Sequence, residues 1–287
     1  MKRKWGDRRD GVLLREIDSM HYIMPLMYPN RCDNEAFISE TVDLTNAMQY
    51  LEKKNAQNPE YKYNVFQLIV TAVLKTITLR PQLNRFIANY NLYQRREVSA
   101  AFTIKKVFKD ESDEGLAFIH SKLEDNLDSI HDEIHRQVSY VRYEGKDQST
   151  ESMDALQKIP GFLKKALGVG ARFLDRRGWM PQSVIATDPF QSSVVLANLG
   201  SIKLHAGYHH LTNWGTTSVF VIIGEIKPRK LDDGQGGEAL RMSVDLGLTV
   251  DERISDGFYC ARAVKLLHTL LENPELLERP LSEKVEY

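Results

Sequence analysis

Apolar side chains recur at helical spacing between residues 64 and 80, and this is the clearest periodicity in the chain. They form one apolar face of the predicted helix: Val65, Leu68, Ile69, Ala72, Val73 and Ile77. We expect this helix to stop at Leu79-Arg80-Pro81, because proline cannot extend a helix and restricts the residue before it. A similar pattern predicts a last helix over about 257–272, stopped near Pro274.

Alternating apolar and polar positions predict the strands, which we place at residues 36–46, 97–106, 116–118, 183–187, 193–198, 217–226 and 239–250. Other segments are a polar helix at 121–139, a loop at 144–155, one or two amphipathic helices at 154–178, and a hairpin turn at 234–237. Mixed helices and strands, with mostly antiparallel hairpins late in the chain, indicate an α/β sandwich. We expect residues 1–20 to be a charged arm and residues 21–287 to form a single domain.

Composition narrows the class of protein. The 287 residues are 42 % hydrophobic and 27 % charged, which is ordinary for a globular protein, and the net charge of −1 gives no global electrostatic case for nucleic acid. Cys32 and Cys260 are the only cysteines, and so few thiols fit a reducing compartment. The polar N-terminus has no apolar signal core, and no run approaches the roughly 18–20 apolar residues of a membrane span. We therefore expect a cytoplasmic protein.

Candidate chemistry lies at residues 251–257, Asp-Glu-Arg-Ile-Ser-Asp-Gly, between the last predicted strand and the last helix. Gly257 suits a tight strand-to-helix junction. The segment resembles the C-terminal signature of the chloramphenicol acetyltransferase family, which includes the catalytic domains of dihydrolipoyl acyltransferases of 2-oxoacid dehydrogenase complexes. Their pattern is Asp-His-Arg-x-x-Asp-Gly. Every fixed position matches except one, because Glu252 stands where the family has its histidine.

Three further blocks resemble the same family. Residues 194–201 resemble Phe-Thr-Ile-Ser-Asn-Leu-Gly, residues 63–84 resemble a helix that ends in Arg/Phe-Pro-x-Leu-Asn, and residues 40–45 resemble Glu-Val-Asp-x-Thr. The four blocks follow the family's order and cover roughly residues 15–280. The resemblance therefore implies a chloramphenicol acetyltransferase-like two-layer sandwich with a mixed sheet.

The resemblance also implies a function. The family forms homotrimers with the active site in a channel between subunits, and it moves an acyl group from a coenzyme A or lipoyl thioester to a hydroxyl or thiol. The expected partners are a small-molecule acyl donor and acceptor, with a coenzyme A thioester as substrate and no tightly bound cofactor. No lipoyl-lysine sequence or peripheral-subunit-binding module occurs here. We therefore expect a free-standing homologue of the catalytic domain.

The usual catalytic groups are replaced. Glu252 occupies the base position, where histidine has a reference pKa of about 6.5 and glutamate one of about 4.3. Burial would raise the pKa of Glu252, whereas Arg253 would lower it if both side chains point the same way. Ala197 occupies the position of the serine whose hydroxyl stabilises the oxyanion, and losing one such donor typically costs on the order of 10²–10³ in rate. The alternative to an altered catalyst is a non-catalytic trimeric binding or scaffolding relative.

The remaining motif positions are expected to have structural or binding roles and not to take part in the chemical step. In the family the aspartate at Asp256 bridges to an arginine that helps to orient the catalytic loop. Asn198 and Gly200 are expected to shape the hairpin beside the channel, and together with Ser201 they are our candidates for contacts with the acyl carrier. The hydroxyl of Ser201 is offset from the serine position that Ala197 occupies.

Histidines elsewhere are candidates for a displaced base. His209 and His210, with His205, follow the Asn-Leu-Gly block in a segment that passes near the family's channel, although ordinary loop histidines are the favoured alternative. His21 lies in an N-terminal segment, and it too is either a displaced base or an ordinary loop histidine. Two further histidines, His131 and His135, lie one helical turn apart, a spacing that can bind metal.

Two features favour structural interpretations. Residue 132 is aspartate, not the glutamate of a zincin, and the acidic surroundings favour a solvated helix face, so we predict no metal site. Residues 162–180 are amphipathic and basic, a pattern that suits a membrane surface or a nucleotide phosphate. Gly168 and Gly170 weaken this segment as a free-standing helix, which favours packing of its apolar side on the body of the protein.

Overall fold

The computed structural model describes residues 3–105, 114–144, 159–186, 188–232 and 236–287. The predicted loop at 144–155 lies outside these residues except for its first position. So do the first five residues of the amphipathic segment at 154–178 and the first two of the hairpin turn at 234–237.

The helices are α1 Ser19–Met27, α2 Thr45–Asn55, α3 Val65–Leu79, α4 Leu127–Ser139, α5 Gly161–Arg177, α6 Gln182–Ile185 and α7 Gly257–Glu272. The strands are β1 Gly11–Leu13, β2 Glu35–Asp43, β3 Arg85–Ala88, β4 Asn91–Arg95, β5 Val98–Lys105, β6 Glu114–Ser121, β7 Val194–Asn198, β8 Val219–Ile223, β9 Lys227–Asp232 and β10 Glu238–Asp251. The strong helical periodicities are thus confirmed at α3 and α7. A box in which Asn64 and Gln67 each accept the other's backbone N–H caps the start of α3.

The large sheet is mixed, as predicted. Within the described ranges it has seven strands in the order β2-β10-β8-β7-β5-β6, and β9 pairs with the first half of β10. The pairs β5–β7 and β7–β8 are parallel, while the pairs with β10 are antiparallel. Strand β10 is long enough to pair with β9 and then run between the edge strand β2 and β8, so its end at Asp251 is flanked by a strand on each side.

The two faces of this sheet are different. Side chains on one face join the main core with α3 and α7, and they include Leu196, Val221 and Leu248. Side chains on the other face form a smaller apolar cluster of Ala101, Val195, Phe220 and Ile222, which Leu211 joins from outside the sheet. Because successive strand residues point to opposite faces, each strand contributes alternate positions to the two clusters. We call the side with the smaller cluster the second face.

A loop formed by residues 203–214 crosses the second face, and two glycines let it lie flat against the strands. A Cβ atom added at Gly247 of β10 would lie 1.8 Å from the carbonyl oxygen of Gly207, and one added at Gly224 would lie 2.5 Å from the amide nitrogen of Ala206. Both distances are far below van der Waals contact. The backbone of the crossing loop therefore occupies the space that side chains would need.

The charged N-terminal segment does not extend freely. Strand β1 pairs with β4, which in turn pairs with β3, in a small antiparallel sheet. The guanidinium of Arg8 is buried, is bound by both carboxylate oxygens of Asp10, and donates to the carbonyl oxygen of Asp175 at 2.5 Å. These contacts fasten the segment to the C-terminal end of α5.

Three expectations differ from the structure. Residues 182–185 form a helical turn where a strand was predicted. The predicted strand at 36–46 ends at Asp43, whose carboxylate accepts the amide hydrogen of Thr45 at 2.8 Å, so that α2 begins at once. Helix α5 forms, but every residue from Gly161 to Gly170 is exposed, so the expected packing of this segment on the body of the subunit is wrong. Among the described helices none is long and apolar enough to cross a bilayer.

Replacing Gly247 by alanine tests the close crossing of the loop. The new methyl group must displace the backbone of Gly207, and we expect a loss of about 1–3 kcal/mol in the free energy of unfolding, measured by urea denaturation. Gly168→Ala is the matched control, because nothing lies within 4 Å of a Cβ atom there and alanine favours a helix interior. Equal stabilities of the two variants would contradict the steric account.

Candidate functional site

The turn that follows β10 is fixed by its backbone and by Asp251. The amide nitrogen of Asp251 donates to the carbonyl oxygen of Ser218 at 2.9 Å, which keeps the end of β10 beside the start of β8. Residues 252–254 then form a short 3₁₀ turn, and the Asp251 carboxylate accepts the amide hydrogen of Arg253 at 3.2 Å. The amide nitrogen of Glu252 donates to the carbonyl oxygen of Asn34 at 2.9 Å, so the first residue of the turn is also held against the start of β2.

A buried ion pair lies beneath this turn. The guanidinium of Arg253 donates two hydrogen bonds to the carboxylate oxygens of Asp251, at 2.8 and 2.7 Å, and a third to the carbonyl oxygen of Tyr28 at 2.8 Å. Both side chains are almost inaccessible, with exposed fractions of 1 % and 0 %. Two charges survive such burial only when their hydrogen-bonding groups are matched, and this bidentate geometry meets that requirement.

A second arginine joins the pair. The Nε atom of Arg31 lies 3.6 Å from the carboxylate of Asp251, and its other nitrogens donate to the carbonyl oxygens of Thr212 and Ile87. Burial lowers the pKa of Arg31, while the carboxylate of Asp251 opposes that change. The cluster therefore joins the end of β10 to the crossing loop and to β3.

The ion pair determines where Glu252 points. Arg253 is turned into the interior, whereas the side chain of Glu252 is exposed on the outside of the turn. The two residues are adjacent in sequence but face opposite directions, so Arg253 does not hold the carboxylate of Glu252. A free carboxylate is thus presented from a rigid turn at the position where the related motif has histidine.

Asp256 has a different role from the one implied by the resemblance. Its carboxylate accepts the amide hydrogen of Tyr259 at 2.7 Å and caps α7, and in the described ranges it forms no ion pair with an arginine. The aspartate that binds arginine here is Asp251. Sequence reasoning missed this pair, although the spacing of two residues between Asp251 and Arg253 was visible in the motif.

Ala197 lies near the end of β7 on the second face, where its side chain packs against the smaller apolar cluster. The side chain carries no hydroxyl. Ser201 does not replace it, because its hydroxyl donates to the carbonyl oxygen of Asn198 at 2.8 Å within a short turn. Gly200 is required by packing, since a Cβ atom there would lie 2.3 Å from the carbonyl oxygen of Gly224.

One subunit does not bring Glu252 and Ala197 together. Ala197 is paired with Ile222, and Ile222 is paired with Gly247 on β10. Glu252 lies five residues further along the chain from Gly247, and the four strand residues up to Asp251 alone span roughly 13 Å. The two positions that carry catalytic groups in the related family therefore lie apart within a single chain.

His209 lies over the second face between these two positions. Its ring stacks on Phe220 with a centroid distance of 4.3 Å, and its Nδ1 atom is 2.8 Å from the carbonyl oxygen of His210. Phe220 is paired with Thr249, a fully buried residue whose hydroxyl has no partner among the described residues. Sequence reasoning missed Thr249, although alternation along β10 places it on the same face as Asp251.

The other candidate histidines lie in local structural contacts. His205 is exposed beside Lys227, and His21 contacts the carboxylate of Asp18, which caps α1. His131 is not on a solvated face as expected: it is buried, stacked on Tyr63 at 3.9 Å, and its burial lowers its pKa.

In the part of the chain that the structure describes, no group of three or more histidine, cysteine or acidic side chains is arranged to hold a metal ion.

Comparison with known proteins shows which solved structures share this fold. No family model and no curated protein sequence matches the chain. Solved structures do match: a probable dihydrolipoamide acetyltransferase from Listeria monocytogenes 4b F2365 is 15 % identical, with 94 % of this chain and 96 % of that chain covered and a TM-score of 0.60. A chloramphenicol acetyltransferase is 11 % identical, with coverages of 92 % and 98 % and a TM-score of 0.53.

A third match is the dihydrolipoamide acetyltransferase (E2p) of Azotobacter vinelandii, in a structure determined to investigate a serine, a histidine and an asparagine in its catalytic mechanism. It is 15 % identical, with coverages of 92 % and 93 % and a TM-score of 0.61. These likenesses confirm the predicted chloramphenicol acetyltransferase-like fold.

Asp251→Asn tests the ion pair. The substitution leaves the buried guanidinium of Arg253 without its counter-charge, and we expect a loss of about 3–5 kcal/mol in the free energy of unfolding. The control is Glu133→Gln, which removes an exposed pair with Arg136 and is expected to cost no more than about 1 kcal/mol. Urea denaturation measures both. A cost for Asp251→Asn no greater than that of the control would show that the pair does not hold the turn.

Proposed function

We propose that this protein transfers an acyl group from a coenzyme A or lipoyl thioester to a thiol or hydroxyl acceptor, and that Glu252 is its general base. The observation that carries the proposal is the buried Asp251–Arg253 pair, which presents the Glu252 carboxylate outward from a fixed turn in an acyltransferase fold.

Both cysteines are free thiols, which supports a cytoplasmic location.

The proposed reaction has two proton transfers. The carboxylate of Glu252 takes the proton from the acceptor as the acceptor attacks the thioester carbonyl, and a tetrahedral oxyanion forms. The intermediate collapses by breaking the carbon–sulfur bond, and the protonated carboxyl group returns its proton to the leaving thiolate. A thiol acceptor suits this base better than an alcohol, because a thiol's reference pKa of about 8.5 is closer to the value of about 4.3 for glutamate.

The proposal includes assembly as a homotrimer, with the site formed between subunits. The separation of Glu252 from Ala197 within one chain supports it, because a partner copy is needed to bring the two motif positions together. Exposed apolar side chains on α1 also support it, and these are Met20, Tyr22, Ile23, Leu26 and Met27.

Light scattering coupled to gel filtration tests the assembly. We expect a mass of three copies of the 32.9 kDa chain at micromolar concentration, because exposed apolar faces associate to leave water. A mass of one chain over the whole concentration range would contradict the shared site.

A second candidate is a non-catalytic relative that binds an acyl carrier and does not turn it over. The absence of an oxyanion donor at Ala197 favours it, because the nearby hydroxyl of Ser201 is already engaged and that of Thr249 is buried beside the crossing loop. This protein would retain the frame and the channel as a binding or scaffolding unit.

Glu252→Gln tests the base. With acetyl-coenzyme A as donor and dihydrolipoamide as acceptor, we expect the rate of coenzyme A release, measured by chromatography, to fall by about 10²–10⁴ because the amide cannot accept the proton. Glu52→Gln, an exposed substitution on α2, is the matched control and should leave the rate unchanged. Turnover that survives Glu252→Gln would eliminate Glu252 as the base.

The same assay separates the two candidates. The non-catalytic candidate predicts no turnover by the wild type, and it predicts that Glu252→His with Ala197→Ser, which restores both groups, creates activity. Efficient turnover by the wild type would eliminate that candidate, and a wild type that is inactive with both acceptor classes would eliminate the enzymatic one.

A further inference from the structure

Helix α5 and the tryptophan that follows it form an exposed amphipathic element, which we define as residues 161–179 and call the basic helix. Its first ten residues are all exposed. The large apolar side chains are also uncovered, with exposed fractions of 79 % for Phe162, 63 % for Val169 and 55 % for Trp179. Such a run of exposed apolar side chains on one helix indicates a binding surface.

The apolar residues lie on one side of the helix. At 100° per residue they span an arc of roughly 160°, and Arg177 in the last turn is the one charged residue within it. The other residues of the arc are Val169, Phe162, Phe173, Ala166, Gly170, Leu163, Leu174 and Leu167. Arg176, Lys165 and Arg172 follow one edge of the arc, whereas Lys164 lies about 60° beyond the other edge, past Ala171.

The charge of the basic helix has one sign. Its outward-facing charges are all positive, and they belong to Lys164, Lys165, Arg172, Arg176 and Arg177. The single acidic residue, Asp175, is buried and accepts hydrogen bonds from Gln191 at 2.8 Å and from the amide of Gly215 at 3.3 Å. Because the whole chain has a net charge of −1, this concentration of positive charge is local.

Among the residues that the structure describes, the contacts that attach this helix to the subunit lie at its C-terminal end. Arg8 donates to the carbonyl oxygen of Asp175, and Gly178 ends the helix in the left-handed conformation with φ 67°. Beyond it, the ring of Trp179 meets Phe173 edge-on at 5.9 Å, and the guanidinium of Arg177 lies 5.0 Å from the Phe173 ring. Aromatic rings beside cations are typical of segments at a membrane–water boundary.

We propose that the basic helix binds the surface of a bilayer that contains anionic phospholipids. Its apolar arc enters the boundary between headgroups and acyl chains, and its lysines and arginines contact lipid phosphates. The charge complementarity carries this choice of partner: a broad apolar arc with cations along one edge and in its last turn matches a plane that is apolar below and negatively charged above. The helix is about 25 Å long and lies in the plane of the surface.

Co-sedimentation of the full chain with vesicles tests the proposal. We expect the wild type to pellet with phosphatidylcholine vesicles that contain phosphatidylglycerol, and to bind pure phosphatidylcholine vesicles at least about tenfold more weakly. Raising the salt concentration should weaken binding to the anionic vesicles, because salt screens exposed charges. Equal binding to both vesicles, or no binding to either, would overturn the proposal.

Two variants and a matched control locate the contact. Arg172→Gln with Arg176→Gln and Arg177→Gln should weaken binding to anionic vesicles by about tenfold or more, and Phe162→Ser with Val169→Ser should weaken it similarly. The control removes three exposed positive charges elsewhere, through Lys53→Gln, Lys122→Gln and Lys265→Gln, and should retain binding. A control that loses as much binding as the arginine variant would overturn the assignment.

Light scattering distinguishes a lipid surface from a second copy of the chain. The proposal predicts that Phe162→Ser with Val169→Ser has the mass of the wild type in solution. A variant of lower mass would show that this face is buried between subunits, and would overturn the proposal. These measurements use no enzymatic readout, so their outcome is independent of the proposed acyl transfer.

Discussion

The buried pair between Asp251 and Arg253 is the interaction on which the rest of the site depends. Removing two charges from water costs several kcal/mol for each ion, and that cost is offset only where the partners satisfy each other. Here the bidentate contact, the carbonyl oxygen of Tyr28 and the nearby guanidinium of Arg31 meet that condition. Through Arg31 the same cluster reaches Thr212 in the crossing loop, so one carboxylate organises segments distant in sequence.

The conformation of this turn does not depend on the catalytic side chain that it carries. The 3₁₀ turn directs Arg253 inward and Glu252 outward, and it does so whichever side chain stands at the outward position. A histidine can be replaced there at little cost to folding, because its neighbours carry the packing and the hydrogen bonds. Ala197 packs against the smaller apolar cluster through its methyl group, so the fold does not need a hydroxyl there. Retention of the fold therefore supports acyl transfer less strongly than the outward carboxylate does.

Much of the fold could be predicted because its periodicities are long. The apolar face of α3 and the alternation of β10 extend over many residues and identify the two elements, although α3 is buried on all sides and the second half of β10 on both faces. The strand predicted at 183–187 is wrong because a short run containing Val184 and Ile185 fits either element, and it lies in the helical turn Gln182–Ile185. Contacts between distant residues, such as His209 on Phe220, leave no local pattern, and an amphipathic segment such as 161–177 reveals its face but not its partner.

The central claim is that the turn held by Asp251 presents Glu252 to an acyl thioester. A crystal structure of the assembled wild type with acetonyl-coenzyme A, a thioether that cannot be cleaved, tests it most directly. We expect the analogue's carbonyl group to lie near the Glu252 carboxylate, with room for an acceptor atom within about 3 Å of that carboxylate. An analogue bound elsewhere, or a Glu252 covered by a neighbouring subunit, would contradict it.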